Sequence, residues 1–444
     1  MNALFRQLTE RAHNRPDDIV VQGTSGHCTA GELLADIQRL GNLLQGHGIT
    51  RLALYADNSP DWIRLDLASQ CHGICLVPIP TFFSASQVRH VLAVVGVDAI
   101  ASDAALRVQL VLPAGSRQAP GLLPGMALDL LPAGSRGQIP PGTTKITFTS
   151  GSTGTPKGVC LDFGQCLTVA QSLAQAVAVD KPRHLCLLPL STLLENIGGV
   201  YRPLLADGCV LVPDPVSLGL AGSSGVVPER LLQALHHWQP QTLITIPEFL
   251  TLLDTALAAG WQAPASLRFI AVGGARVAPQ LVQRVRAGGL PIFEGYGLSE
   301  CASVVSLNTP GKDRPGTSGA VLPHVTVSEH KGELVVEGNR FLGYLDDPAS
   351  WTPGAVATGD IGHIDAQGFV VVSGRRKNLL ISSFGRNISP EWVEGELLAE
   401  SVILQAIVAG DGRPFCTALL MPLDSSTSDL YLQVAVDAAN TRLP

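Results

Sequence analysis

The sequence has 444 residues, 46% of them hydrophobic and 15% charged, with a formal net charge of −7. That length holds a large core and more than one domain, and the mild acidity excludes the electrostatic footprint of a nucleic-acid or anionic-membrane binder. No apolar run reaches the ~20 residues of a membrane span and the start lacks a signal peptide's long apolar stretch, so the expected location is cytoplasmic, with no transmembrane segment.

Residues 3–14 predict an amphipathic helix with Leu4, Phe5, Leu8 and Ala12 on one side. Residues 52–55 read as a buried strand. Asn58-Ser59-Pro60-Asp61-Trp62 reads as a turn entering a helix, with proline just inside it. Cys71-His72-Gly73-Ile74-Cys75 has a metal-like look, but it runs into an apolar strand at 74–80 and no second Cys/His pair at zinc spacing follows. Residues 84–95 predict another helix, and 113–141, rich in Pro, Gly and Ala, a loop or connection. Nine cysteines, an odd number in so long a chain, do not suggest a disulfide scaffold. Strands alternating with helices at this spacing point to an α/β fold.

Lys145-Ile146-Thr147-Phe148-Thr149 alternates like a strand and runs into Ser150-Gly151-Ser152-Thr153-Gly154-Thr155-Pro156-Lys157-Gly158. Glycines let a backbone curl with its N–H groups toward an anion, hydroxyls add donors, and lysine adds a point charge suited to phosphate. A Walker A loop would place Gly-Lys before Ser or Thr, which this order does not. Gly273-Gly274-Ala275 follows a predicted strand at 269–272. Glu294-Gly295-Tyr296-Gly297-Leu298-Ser299-Glu300, Thr358-Gly359-Asp360 and Gly374-Arg375-Arg376-Lys377 come in turn. After about residue 330, 332–338 and 369–373 read as strands. Ser389-Pro390-Glu391 reads as a helix start, with Ser as cap, Pro at the first helical position and acid in the first turn.

This ordered set resembles the adenylate-forming superfamily of AMP-forming acyl-CoA synthetases, luciferases and peptide-synthetase adenylation domains. Around Asn387-Ile388-Ser389-Pro390 it looks most like the long-chain acyl-CoA synthetases. The resemblance implies a first domain over 1–376, with mixed and parallel sheets flanked by helices plus a β-rich subdomain. A small α+β C-terminal domain over 377–444, incomplete, would follow. It implies that ATP activates a carboxylic acid as acyl-AMP, which a thiol then attacks. Thr149, Ser150, Gly151, Ser152, Thr153, Gly154 and Lys157 would hold the outgoing phosphates. Gly273, Gly274 and Ala275 would line the adenine pocket together with Glu294, Gly295, Tyr296 and Gly297, Tyr296 stacking on the base. Ser299, in the place of the family's threonine, would donate to the α-phosphate and Glu300 would hold Mg²⁺. Asp360 and Arg375 would take the ribose. Lys377 falls on the family's hinge, and Gly385 in a loop that reaches the active site in the thiol-transfer pose. The acceptor would be CoA or the phosphopantetheine of an acyl or peptidyl carrier protein.

The family's second catalytic lysine, near its C-terminus, has no counterpart, since no lysine follows Lys377. The expectation is a missing final segment and poor adenylation by this chain alone. Residues 188–199 fall on the family's acyl-pocket helix. There Gly198, Gly199 and apolar neighbours suit a slender aliphatic chain, so a fatty acid is the first expectation and an aryl or other organic acid the second. Glu195 keeps an amino acid open, because a buried ammonium needs a carboxylate partner. A nucleotide-binding pseudoenzyme is the alternative from another class.

Overall fold

The computed structural model describes residues 2–149, 156–221 and 225–443. The chain forms two compact units, the first taking in Met1–Leu243, Ser299–Ser303 and Asn339–Gly354, the second Ile244–Leu298, Val304–Gly338 and Ala355–Pro444.

The first unit is built on an eight-stranded mixed sheet. Its order is Gly343–Tyr344, Lys157–Leu161, Lys145–Thr149, Cys75–Pro78, Arg51–Tyr55, Ala99–Asp103, Met126–Leu130 and Arg117–Ala119. The four middle strands run parallel, and the flanks are antiparallel. The helix Ala85–Val95 places Val88, Val91, Leu92 and Val95 in one core with Ala53, Val77, Ile100, Ile146 and Phe148. That is the one-sided apolar stripe of an amphipathic helix packed on a sheet. A capping box sets its start: Ser84 accepts from the Gln87 N–H while Gln87 reaches back to Ser84. A second group of strands in this unit, Arg183–Leu185, Cys209–Leu211 and Ile19–Gly23, runs parallel, and Gly26–Thr29 turns back on Ile19–Gly23.

Two expectations change here. The stretch 113–141 contains the strands Arg117–Ala119 and Met126–Leu130, which pair with each other, and Met126–Leu130 also pairs with Ala99–Asp103. Backbone pairing at a sheet edge outweighs the turn-rich composition. On the helix Ala3–Asn14 the fourth inward residue is Arg11, not Ala12, beside Leu4, Phe5 and Leu8. The Arg11 guanidinium is buried because it donates to the Gly208 carbonyl at 2.7 Å and to Asp18 at 3.3 Å.

In the second unit, Phe269–Val272 pairs in parallel with Ile292–Leu298. An antiparallel sheet of Val325–His330, Glu333–Gly338, Val356–Ile364 and Val370–Arg375 follows. Beyond it, the helix Pro390–Leu398, the hairpin Ile403–Ala409 with Thr417–Pro422, and the helix Asp429–Asn440 share a core of Leu397, Ile403, Val408, Ala435 and Ala439. All nine cysteines are free and seven are buried. Among the described residues no helix is long and apolar enough to cross a membrane.

Candidate active site

The predicted residues fall into two groups, one in each unit. In the first unit the strand Lys145–Thr149 delivers the chain to the phosphate loop. Of that loop, Ser150, Gly151, Ser152, Thr153 and Gly154 lie outside the described residues. Thr149 and Lys157 face each other across the hairpin that the loop closes. The strand is anchored at its buried start. The Lys145 ammonium donates to Asp66 Oδ1 at 2.8 Å and to the Tyr201 hydroxyl at 2.8 Å, and it also reaches the Asn196 side-chain oxygen. Asp66 accepts in turn from Tyr201 at 2.6 Å and Asn196 at 3.0 Å. A buried ammonium is tolerated only with partners of this kind.

Glu300 sits in the short helical turn Ser299–Cys301, half-buried, with Ser299 beside it. Its carboxylate accepts from the Tyr344 hydroxyl at 2.7 Å, and the Lys157 ammonium lies over the Tyr344 ring, 5.3 Å from its centroid. The structure thus joins Lys157 and Glu300 through a residue the sequence reading missed. Its only sequence signal is an aromatic beside glycine in Gly343-Tyr344, which no motif flagged. A cavity of about 210 Å³ opens here, lined among others by His90, Phe148, Lys157, Tyr344 and Asp347. Cys301, next in the chain, is buried, and burial pushes its thiol up to about 12.

The segment expected to shape the acyl pocket holds a buried polar network. Its helix widens into a π turn at Asn196–Tyr201. Gly199 does not leave open space for an aliphatic chain: a Cβ there would stand 2.2 Å from Glu195 Oε1 and 2.8 Å from His184 Nε2. Nor is Glu195 waiting for an ammonium. Its Oε1 lies 2.9 Å from His184 Nε2, and Oε2 accepts from the Leu188 N–H at 3.0 Å. Arg202 Nη2 donates to Thr242 Oγ1 at 2.7 Å and lies 3.3 Å from His184 Nδ1, which is also 3.0 Å from Thr242 Oγ1; a guanidinium only donates, so Nδ1 accepts and Nε2–H faces Glu195. Burial pushes the Glu195 carboxyl up to about 8 and the His184 imidazole well below its usual range. His184, Cys186 and Glu195 bring ligand atoms within 4.8 Å of one another, yet the buried Arg202 already supplies the positive charge a metal would bring.

In the second unit three predicted residues meet. Asp360 and Arg375 are cross-strand partners. Asp360 is 3% exposed; its Oδ1 pairs with Arg375 Nε at 2.8 Å and its Oδ2 accepts from the Tyr296 hydroxyl at 2.6 Å. Gly273 lies against the next strand, where a Cβ would come within 3.2 Å of the Gly295 carbonyl oxygen. Gly274, Ala275 and Gly297 are exposed. Glu294 is buried beneath this surface, accepting from the Gly316 N–H at 2.9 Å and from Asn308 at 3.5 Å, and burial pushes its carboxyl up to about 7. Lys377 is exposed in the turn Arg376–Asn378. The group offers a planar ring, a close-approach backbone and a buried carboxylate beside a guanidinium, which suits a nucleoside.

A family profile described as AMP-binding enzyme matches residues 8–345. The chain is 31% identical over 312 residues to a 2-succinylbenzoate–CoA ligase of Bacillus velezensis, covering 65% of this chain and 61% of that protein. It is 36% identical over 154 residues to a long-chain-fatty-acid–CoA ligase of Mycobacterium bovis, covering 33% of this chain and 26% of that one. The chain thus spans less than two thirds of these curated relatives. Among solved structures, an anthranilate CoA ligase in complex with anthranoyl-AMP matches with a TM-score of 0.83 at 17% identity, covering 100% of this chain and 91% of that one.

Proposed function

The chain belongs to the AMP-binding enzyme family, and on that premise we propose that it couples a carboxylic acid to coenzyme A at the expense of ATP. In the first half-reaction a carboxylate oxygen attacks the α-phosphorus, pyrophosphate leaves and a mixed anhydride forms. In the second, a thiol attacks the acyl carbon and AMP leaves. The protein's contribution is positioning and charge neutralisation.

The observation that carries this reading is the meeting of Tyr296, Asp360 and Arg375 in the second unit. Tyr296 would stack on adenine, Asp360 and Arg375 would take the ribose hydroxyls, and the backbone at Gly273 and Gly295 would pass close to the base. In the first unit Lys157, with Thr149 and the loop Ser150–Gly154, would hold the leaving phosphates, and Ser299 would donate to the α-phosphate. The half-buried carboxylate of Glu300 has the oxygen chemistry a hard cation takes, so Glu300 would hold Mg²⁺, which neutralises phosphate charge when bound.

For the acid we favour a ring-bearing organic acid. The 2-succinylbenzoate ligase aligns over twice the length of the long-chain ligase, and the space at Gly199 that a fatty chain would enter is filled by Glu195 and His184. The fatty-acid reading rests on the higher identity of the shorter alignment. An amino acid would find Glu195 already paired. Both ligases use CoA by name, which favours CoA over a carrier protein.

The test is a pyrophosphate-release screen over aryl, aliphatic and amino acids with CoA, followed by mass detection of acyl-CoA. Selective turnover of ring-bearing acids supports the reading. Pyrophosphate release with none of them, alongside tight ATP binding, would favour a nucleotide-binding protein without ligase chemistry.

A further inference from the structure

Tyr344 lies on the edge strand Gly343–Tyr344, whose backbone partners are Cys160 and Val159. The Leu345 N–H donates to Gly158 O and the Leu342 N–H to Cys160 O, both at 2.9 Å. This short strand is therefore bound to the return arm of the phosphate-loop hairpin, next to Lys157. The residue is fixed on several sides. Its N–H donates to Ser350 Oγ at 2.8 Å, its carbonyl accepts from Trp351 Nε1 at 2.9 Å, and its ring meets Phe341 edge-on with centroids 4.8 Å apart. Phe341 in turn donates its N–H to the Glu300 carbonyl at 2.6 Å. From this mount the phenol serves two groups at once: the hydroxyl donates to Glu300 Oε1 at 2.7 Å and the ring face receives the Lys157 ammonium at 5.3 Å.

We propose that Tyr344 is a positioning residue for the nucleotide–metal assembly, orienting the Glu300 carboxylate through its hydroxyl and holding the Lys157 ammonium through its ring. The proposal rests on the reading of Glu300 and Lys157 given above. With Oε1 committed to the phenol, the Glu300 carboxylate keeps one orientation and presents the other oxygen to a cation. Hydrogen bonds to a ligating carboxylate set its direction and basicity. An exposed cation over an aromatic face is held only weakly, so Lys157 can exchange the ring for phosphate oxygens when they arrive.

The test reads binding without turnover. Mn²⁺ is titrated by electron paramagnetic resonance into the full chain with a non-hydrolysable ATP analogue, and the analogue alone is titrated by calorimetry. Tyr344→Phe keeps the ring and drops the hydroxyl. It is expected to weaken Mn²⁺ binding about tenfold, the lower range for loss of a ligand-orienting hydrogen bond, while metal-free analogue binding and thermal unfolding stay unchanged. Tyr344→Leu is expected to weaken metal-free analogue binding as well. Mn²⁺ binding by Tyr344→Phe equal to or tighter than that of the unaltered chain, while the unaltered chain binds normally, overturns the inference alone. If the unaltered chain itself binds no Mn²⁺ with the analogue, the reading of Glu300 falls and this inference falls with it.

Discussion

Each oxygen of Asp360 already accepts from the protein, one from Tyr296 and one from Arg375. Under the proposed reading, ribose hydroxyls would share or displace these bonds, since each carboxylate oxygen has a second lone pair, and the Tyr296 hydroxyl would compete with them. Asp360→Asn removes the charged acceptor and is expected to weaken ATP binding by roughly 2 kcal/mol, about thirtyfold, as read by calorimetry. Tyr296→Ala should lose a comparable 1–3 kcal/mol, roughly the value of one base–aromatic stack. Tyr296→Phe, which keeps the ring and drops the competing hydroxyl, should bind ATP at least as well as the unaltered chain. Beneath this group, burial pushes the Glu294 carboxyl up to about 7, above its unfolded value. Its contribution to stability is full below the unfolded value, near 4.5, and is lost as pH rises through 7. Chemical denaturation between pH 5 and about 8 should therefore show a steeper fall for the unaltered chain than for Glu294→Gln. Equal slopes would contradict the shift. The motifs single out Tyr296, Asp360 and Arg375, which the fold brings together. Tyr344 was not legible, because only strand pairing distant in sequence brings it to Lys157 and Glu300.

Among the elements, those with local signals were read correctly. Ser59 with Pro60 and Ser389 with Pro390 start helices as their residue types dictate, and Phe269–Val272 and Glu333–Gly338 are strands. The edge strands in 117–130 escaped because the strand that ties them to the sheet, Ala99–Asp103 through Met126–Leu130, is not visible in their own composition. What surrounds Gly199 was not legible for a related reason: small residues make room, and sequence alone does not say what fills it. Gly199→Ala would drive a methyl into the Glu195 carboxylate, and overpacking of this kind costs about 1–3 kcal/mol in a denaturant titration. A loss near zero would mean that the pair moves aside cheaply. The buried ion pair anchoring the phosphate-loop strand behaves differently. Lys145→Met strands the Asp66 carboxylate and is expected to cost about 3–5 kcal/mol. The double variant Lys145→Met with Asp66→Asn should recover a sizeable part of that loss, and additivity of the two single effects would argue against the pairing.

At the scale of the molecule, the division into compact units passes through the seven-residue motif itself. Tyr296 belongs to the second unit and Glu300 to the first, because the chain crosses between Leu298 and Ser299. ATP with Mg²⁺ at a hundred times its dissociation constant is expected to add about 2.7 kcal/mol to unfolding. A thermal transition unmoved by the nucleotide would argue against nucleotide binding. The residues after Leu380 close around their own core at Leu397, Ile403 and Ala439. Limited proteolysis is therefore expected to cut first near the exposed stretch around Lys377.

Cys301, one position beyond Glu300, has a further consequence. An acyl-adenylate is an electrophile made to be captured by sulfur, and a reactive thiol of the protein's own would divert it. Nucleophilicity follows the thiolate, and burial holds the Cys301 sulfur protonated at neutral pH, as it does for Cys160 and Cys166. The chain would thus be protected from self-acylation: mass spectra taken after turnover without CoA should show these cysteines unmodified and the activated acid lost to water.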